Sequence, residues 1–127
     1  MFTSGEEFEK LVHDAILELP EGIRAKMDNV AVVVEEEPRP DQLQKNGIRK
    51  GDLLLGLYEG TPRSKRGPSY TLVLPDKITI FKNAIEAVAA SPADIKRQVA
   101  ETVRHEIAHH FGFDEHGAQR VARNRRS

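Results

Sequence analysis

Two histidines and one glutamate near the end of the sequence have types and spacing that could bind a metal ion and activate water. His105, Glu106 and His109 form the pattern H-E-x-x-H. On a helix, four residues advance about 6 Å and complete slightly more than one turn, so both imidazoles leave the same face and can bind one ion. Zinc binds imidazole nitrogen at about 2.0–2.1 Å and favours four ligands. Glu106 lies about 100° around the helix from His105, where it can reach a metal-bound water as a general base.

The residues after the motif supply candidates for a third ligand. Gly112 follows His109 by three residues, and glycine can adopt a positive φ that ends a helix and turns the chain back under a metal. In the metzincin pattern, a histidine three residues after this glycine is the third ligand. Here that position is Glu115, flanked by Asp114 and His116. We therefore expect Glu115 to be the third ligand, with His116 or Asp114 as the alternative if the turn differs by one residue.

The pentapeptide alone can occur by chance in a helix that is rich in histidine and glutamate. Gly112 at the right distance and the acidic cluster after it favour the metal site over that interpretation. His110 points about 120° away from the mean direction of His105 and His109, so we expect it to be a packing or surface residue.

The composition predicts one globular domain over residues 1–127. Of its 127 residues, 39% are hydrophobic and 31% are charged, which is typical of a chain that folds around one core. The net charge of −1 argues against binding to nucleic acid or membranes. The absence of cysteine excludes thiolate ligands and fits a reducing compartment.

The N-terminus lacks the apolar run of a signal peptide, and no apolar stretch approaches the ~20 residues of a membrane span. We therefore expect a cytoplasmic protein.

Two amphipathic helices are predicted to position the motif. The first begins with a capping box at Ser4 and ends near Pro20. The second has Ser91 as its cap and Pro92 at its first position, and it runs through the motif to Phe111. Their apolar residues recur at helical spacing: Phe8, Leu11, Val12, Ala15, Ile16 and Leu19 in the first, and Ile95, Val99, Val103 and Ile107 in the second.

Short runs of β-branched and apolar residues predict a small sheet. Val30–Val34 has the pattern of a buried strand. Asp52–Tyr58 is a second strand, in which Gly56 indicates a bulge or the close approach of another element. Tyr70–Leu74 and Lys77–Phe81 are two further β-rich segments, separated by Pro75-Asp76.

Two segments rich in arginine are predicted to be solvated. Residues 59–69 contain two glycines and two prolines together with three basic residues, which is typical of a surface loop. Residues 118–127 are predicted to form a last short helix with a frayed basic tail.

The motif and its surroundings resemble the minimal zincin-like metallopeptidase family of small bacterial proteins. The residues that carry the likeness are H-E-I-A-H-H-F-G with the acidic cluster after it, D-N-V-A-V-V-V-E-E-E-P (Asp28–Pro38) and K-I-T-I-F (Lys77–Phe81). The likeness extends to Phe8–Leu19 and so covers most of the chain. It implies an α+β fold in which a small twisted mixed sheet packs on helices, with the H-E-x-x-H helix near the C-terminus and behind an edge strand.

The resemblance also implies a site: zinc on His105 and His109, Glu106 as the base, and an acidic third ligand that Glu115 matches best. The chain differs from metzincins at that third position, where they have histidine. It also has no methionine after the site, because Met1 and Met27 both precede it, so no Met-turn can form.

The function predicted from these residues is zinc-dependent hydrolysis of a peptide or protein substrate. Zinc lowers the pKa of a bound water and polarises the scissile carbonyl, and Glu106 moves the proton from this water to the leaving amine. We expect the peptide to add as a strand to one of the strands in Tyr70–Phe81, with Ile78–Phe81 as the first candidate. Tyr70 is a candidate for stabilising the oxyanion.

Two other functions remain open at this point. The first is another zinc hydrolase, such as the small endoribonucleases with three histidines; the basic C-terminal tail suits RNA, but Glu106 argues against this class. The second is a non-catalytic binding module with a structural or vestigial metal site. A closed structural site has four protein ligands, and His105, His109, Glu115 and His116 could supply them.

Overall fold

The computed structural model describes residues 3–60, 75–110 and 119–122. In these ranges, helices and strands combine in an α+β arrangement, as the sequence predicts. The helices are α1 (Gly5–Leu17), α2 (Glu21–Ala25), α3 (Pro40–Lys45), α4 (Lys82–Val88) and α5 (Pro92–His110). The strands are β1 (Val30–Glu35), β2 (Leu53–Glu59), β3 (Asp76–Phe81) and β4 (Gln119–Ala122).

The four described strands form one mixed sheet in the order β1-β3-β2-β4. β1 runs parallel to β3, whereas β2 runs antiparallel to both of its neighbours, β3 and β4. The expectation that a peptide adds to Ile78–Phe81 is therefore wrong. β3 pairs with β1 along one edge and with β2 along the other, so its backbone groups are already used in the sheet.

β1 lies at the edge of the described sheet, and all six of its residues are half-buried. The prediction of a buried strand over Val30–Val34 is correct for the strand and wrong for its burial. A run of β-branched residues favours extended backbone, but the run does not determine whether the strand lies inside the sheet or at its edge.

Both predicted amphipathic helices are present, and they pack against each other. At the start of α1, the Ser4 hydroxyl accepts a hydrogen bond from the Glu7 N–H at 3.1 Å, and the Ser4 N–H donates to the Glu7 carboxylate at 2.8 Å. This reciprocal pair is the predicted capping box. The core is formed by the apolar faces of α1 and α5, by α4 and by the inner strands; its residues are Phe8, Val12, Ala15, Leu19, Leu54, Leu55, Leu57, Ile78, Ile80, Phe81, Ala84, Ile85, Ala89, Ile95, Val99, Val103 and Ile107.

The C-terminal prediction is wrong where the structure describes it. Instead of a helix, Gln119–Ala122 forms strand β4, which pairs antiparallel with β2. Four residues carry too little periodicity to specify a strand by themselves, and the edge of β2 provides the hydrogen-bond partners that decide the conformation. The predicted strand Tyr70–Leu74 and residues 61–69 of the basic loop lie outside the described residues. Among the helices that are described, none has the length and apolar character needed to cross a bilayer.

Candidate metal centre and general base

Helix α5 begins at the predicted cap and carries the motif. The Ser91 hydroxyl accepts a hydrogen bond from the Asp94 N–H at 3.2 Å, and the Asp94 carboxylate accepts from the Ala90 N–H at 2.9 Å. The hydrogen bond from Ala90, followed by that from Arg97, holds the pKa of Asp94 below its ordinary value. A charged carboxylate in the first turn of a helix is favourable there. The first turn of α5 is thus well anchored, three to four turns before the motif.

Two rows of buried residues run along α5. The apolar row is the predicted stripe, and its members are fully buried: Ile95, Val99, Val103 and Ile107. A second, polar row follows the same four-residue spacing, and its members are also buried: Gln98, Thr102 and Glu106. Because residues four apart on a helix share a face, these two rows form one wide buried face of α5 with a polar side.

The polar side of α5 lies against β2 at Gly56. An ideal Cβ built on Gly56 would lie 2.4 Å from the Thr102 Cγ2 atom, well inside the carbon–carbon contact distance of about 3.5–4.0 Å. Glycine at this position therefore allows α5 to approach β2 more closely than any other residue would. The pairing of β2 with β4 also shifts between Leu54 and Gly56. Of the two alternatives predicted for Gly56, the close approach is confirmed, and the shift in register marks an irregularity of the pairing at the same place.

Glu106 is fully buried, and a backbone group of the sheet binds its side chain. The Tyr58 N–H donates a hydrogen bond to Glu106 Oε1 at 3.0 Å. A hydrogen bond from an amide N–H to a carboxylate is charge-assisted and stronger than one between two neutral groups. The candidate base is therefore held on the sheet side by strand β2, at a fixed position relative to the helix that carries it.

The side chain of Tyr58 has a second polar partner. Its hydroxyl donates to Asp76 Oδ2 at 2.9 Å, which joins the end of β2 to the first residue of β3. Burial raises the pKa of Tyr58 above its ordinary value of 10, and the hydrogen bond and the charge of Asp76 raise it further. The phenol is therefore neutral at physiological pH, and Tyr58 links the two strands through its hydroxyl while its backbone holds Glu106.

His105 is half-buried and immediately precedes Glu106 on α5. Its Nε2 atom and the Glu106 Oε2 atom are both withdrawn from solvent. The structure places position 109 on the same helix, one turn further on, as the motif requires. The side chain of His109 and the third-ligand candidates Asp114, Glu115 and His116 lie outside the described residues. Tyr70, the candidate for the oxyanion, does so as well.

Within the described side chains, no group of three or more His, Cys, Asp or Glu residues comes together as a metal site. These side chains comprise one of the candidate ligands, His105, and the candidate base, Glu106. Both side chains fit the zinc ion that the motif implies. Imidazole nitrogen is a preferred zinc donor, and a buried carboxylate beside it is suited to proton transfer. Helix α5 also carries both histidine positions, 105 and 109, one turn apart. This is the spacing at which two imidazoles can bind one zinc ion.

Sequence reasoning did not predict two features of the site, the Tyr58 N–H and the polar row of α5. The first has no sequence signature, since every residue except proline carries a backbone N–H. The second is visible as Gln98, Thr102 and Glu106 at four-residue spacing, but polar residues in such a row usually face solvent. Gly56 within an apolar strand was the one signal that a neighbouring element packs closely here.

Comparison with known proteins supports the motif at the level of the family. The family described as zincin-like metallopeptidase matches residues 27–124, a range that contains the whole motif and all candidate ligands. A solved structure, that of a conserved hypothetical protein from Thermus thermophilus, is similar to this chain with a TM-score of 0.57 and 28% sequence identity; the match covers 86% of this chain and 94% of that chain. No curated protein matches the chain significantly.

Proposed function

The chain belongs to the zincin-like metallopeptidase family, and on this premise we propose that it is a zinc-dependent peptidase with Glu106 as the general base. The observation that carries the proposal is the buried Glu106 carboxylate, which the Tyr58 N–H holds at 3.0 Å beside a histidine of the H-E-x-x-H helix. Glutamate is rarely fully buried in proteins, and ionisable groups buried in this way cluster at functional sites. The hydrogen bond at Oε1 comes from the backbone amide of Tyr58, which orients the side chain of Glu106.

The proposed ligands are His105, His109 and a third residue after the helix, for which Glu115 is the first candidate and His116 and Asp114 are the alternatives. When bound, zinc would lower the pKa of water towards neutrality and polarise the scissile carbonyl. The remaining chemistry is assigned to the protein. Glu106 accepts one proton from the attacking water as the new C–O bond forms, and it delivers this proton to the amine nitrogen as the C–N bond breaks.

The position of Glu106 suits this transfer. The Tyr58 N–H holds Oε1, so the plane of the carboxylate and the position of Oε2 are determined by α5 and β2 together. Burial removes competing water from the carboxylate, and a charge-assisted hydrogen bond is stronger in such surroundings than in water. The base is therefore oriented before a substrate binds. Holding a catalytic group in the correct geometry in advance lowers the activation barrier.

Substitution of the base tests the reaction. We expect Glu106→Gln to retain zinc and to lower the rate of peptide hydrolysis by about 10²–10⁴-fold, the usual contribution of a general base. The matched control is Glu101→Gln on the same helix, where the carboxylate is partly exposed and pairs with Arg97; we expect its activity to equal that of the wild type. If both glutamine variants hydrolyse peptides as fast as the wild type, Glu106 is not the base and the proposal fails.

Zinc content tests the ligands and also separates the alternatives. After dialysis without chelator, we expect about one zinc per wild-type chain, the number that one four-ligand site holds. His105→Ala and His109→Ala should lose it, and His110→Ala should keep it. Among the loop variants, loss in Glu115→Ala, His116→Ala or Asp114→Ala identifies the third ligand. Loss in both Glu115→Ala and His116→Ala, with no peptidase activity in the wild type, would instead support a closed structural site in a binding module. A wild type that cannot be loaded with zinc would refute the peptidase.

A further inference from the structure

We propose that Gly56 and Thr102 form a positioning contact for Glu106. Their contact sets the distance between α5 and β2, and this distance determines whether the Tyr58 N–H can hold the carboxylate. The catalytic part of this inference rests on the proposed function. Its structural part rests only on the contacts described above, and it can be tested without any activity.

The Gly56–Thr102 contact and the hydrogen bond from Tyr58 to Glu106 lie next to each other along α5 and β2. From Thr102 to Glu106 the helix advances four residues, about 6 Å. From Gly56 to Tyr58 the strand advances two residues, about 6.7 Å. These near-equal steps keep α5 and β2 alongside each other, with the glycine contact immediately before the hydrogen bond to Glu106. Any change in separation at the first point is therefore transmitted to the second.

A side chain at position 56 could be accommodated in one direction only. Besides Thr102 Cγ2 at 2.4 Å, an ideal Cβ would lie 3.3 Å from the Thr79 carbonyl oxygen and 3.6 Å from Ile80 Cδ1. Both atoms belong to β3, the interior strand paired with β2. The sheet side is thus closed by a backbone carbonyl and a buried side chain of a paired strand, and the clash has to be relieved on the helix side.

Thr102 itself is held in place. It is fully buried, and its hydroxyl donates to the Gln98 carbonyl oxygen at 2.8 Å. Rotation that moved Cγ2 away from position 56 would break this hydrogen bond and leave a buried hydroxyl to find a new partner. The less costly response is for α5 to move away from β2 by about 1–1.5 Å, which restores a normal carbon–carbon contact. The hydrogen bond from the Tyr58 N–H to Glu106, 3.0 Å long, would then exceed the usual range for such bonds.

The experiment compares Gly56→Ala, Thr102→Ser and the double variant Gly56→Ala/Thr102→Ser. Thr102→Ser removes Cγ2 and keeps the hydroxyl, so in the double variant the methyl group at position 56 has room while the bond to Gln98 remains. The matched control is Gly22→Ala in α2, where an added Cβ meets nothing within 4 Å. For each protein we would measure zinc content, kcat and KM for a peptide substrate, and the chemical shift of the Tyr58 amide proton by NMR, with Glu106→Gln as the reference for an uncharged acceptor.

We expect Gly56→Ala to retain zinc and to lower kcat by about 10²-fold, the usual cost of a 1 Å misplacement, with a much smaller change in KM. Its Tyr58 amide proton should move upfield, towards or beyond the shift in Glu106→Gln. The double variant should recover at least ten-fold in kcat and regain the wild-type amide shift, and Gly22→Ala should match the wild type throughout. If Gly56→Ala alone does not fold, a folded double variant with the wild-type amide shift supports the same contact.

The proposal is overturned if Gly56→Ala folds with unchanged kcat and an unchanged Tyr58 amide, or if Thr102→Ser does not rescue it. It is also overturned if kcat falls only in proportion to lost zinc, since the effect would then be on metal binding. A wild type without peptidase activity would refute the proposed function, while the amide shifts would still decide whether this contact positions Glu106.

Discussion

A buried ion pair outside the site provides a quantitative test of how the fold is held together. Lys82 and Glu86 lie one turn apart on α4, with Lys82 Nζ 3.1 Å from Glu86 Oε1, and each side chain is only 6% exposed. Glu86 Oε2 also accepts hydrogen bonds from the Thr3 N–H at 3.1 Å and from the Thr3 hydroxyl at 2.7 Å. The pair therefore connects α4 to the segment before α1. We predict that Lys82→Met destabilises the protein.

The size of the effect follows from the contacts. Removing one partner of a buried ion pair costs about 3–5 kcal/mol, because the other charge stays buried without compensation. Thr3 still donates two hydrogen bonds to Glu86 in the variant, so we expect the lower end, about 3 kcal/mol. The ammonium group also lies 5.9 Å from the centroid of the Phe8 ring, a cation–π contact that methionine cannot make. Against a total stability of about 5–15 kcal/mol for a domain, such a loss is easily measured.

The pH dependence of the free energy of unfolding provides a second test of the role of Glu86 in this pair. Burial by itself would raise the pKa of Glu86, but hydrogen bonds from Thr3 and Lys82 outweigh it and hold the pKa below the ordinary value of 4.5. A carboxylate whose pKa is lower in the folded state contributes stability above its unfolded pKa, and this contribution is lost as the pH falls through the folded-state pKa. The contribution of Glu86 to the stability of the wild type should therefore be constant near neutral pH and be lost progressively in acid below about pH 4.5.

The assay is urea unfolding followed by far-UV circular dichroism, since the chain has no tryptophan. The control is Lys96→Met, which removes an exposed lysine–glutamate pair with Glu18 and should change the midpoint little. The double variant Lys82→Met/Glu86→Leu should recover at least half of the lost stability, because no buried charge remains. Equal midpoints for wild type and Lys82→Met, or a double variant less stable than the single one, would show that the pair does not stabilise the fold as argued.

Two further substitutions test the elements that carry the site. Ile95→Ala removes a fully buried side chain from α5 and should cost about 2–5 kcal/mol in the same urea assay; a cost below this range would mean that the start of α5 can collapse around the cavity. Tyr58→Phe removes the hydroxyl that donates to Asp76 and should cost about 0.5–1.5 kcal/mol. Because the pKa of Tyr58 is raised in the folded state, this contribution should be fully present below about pH 10 and be lost at more alkaline pH; a difference that grows with alkaline pH would contradict the assignment.

Local patterns were sufficient to predict the two long helices. The capping box at Ser4 and the cap at Ser91 are formed by residues within four positions of each other, so their chemistry is complete within the local sequence. The stripe from Ile95 to Ile107 repeats strictly every four residues, and such a repeat specifies which face of a helix is buried. The position of the H-E-x-x-H motif on a helix near the C-terminus follows from the same local information.

The arrangement of the strands could not be predicted in this way. Val30–Val34 and Lys77–Phe81 have similar β-branched compositions, yet β1 lies at the edge of the described sheet and β3 lies inside it. The residues 119–122 form a strand because β2 offers them an edge to pair with. In both cases the decisive hydrogen bonds join segments far apart in the sequence, and strand pairing of this kind depends on context more than on local preference.

The sequence by itself determined the chemistry that this protein can offer: a histidine–glutamate–histidine motif at helical spacing, a helix with a defined start and buried face, and membership of a metallopeptidase family. Only the tertiary structure decided how the candidate base is held. The Tyr58 N–H and the space above Gly56 come from the backbone of another element. A backbone amide and an absent side chain leave no distinctive residue type in a sequence, so their roles become visible only when α5 and β2 are brought together.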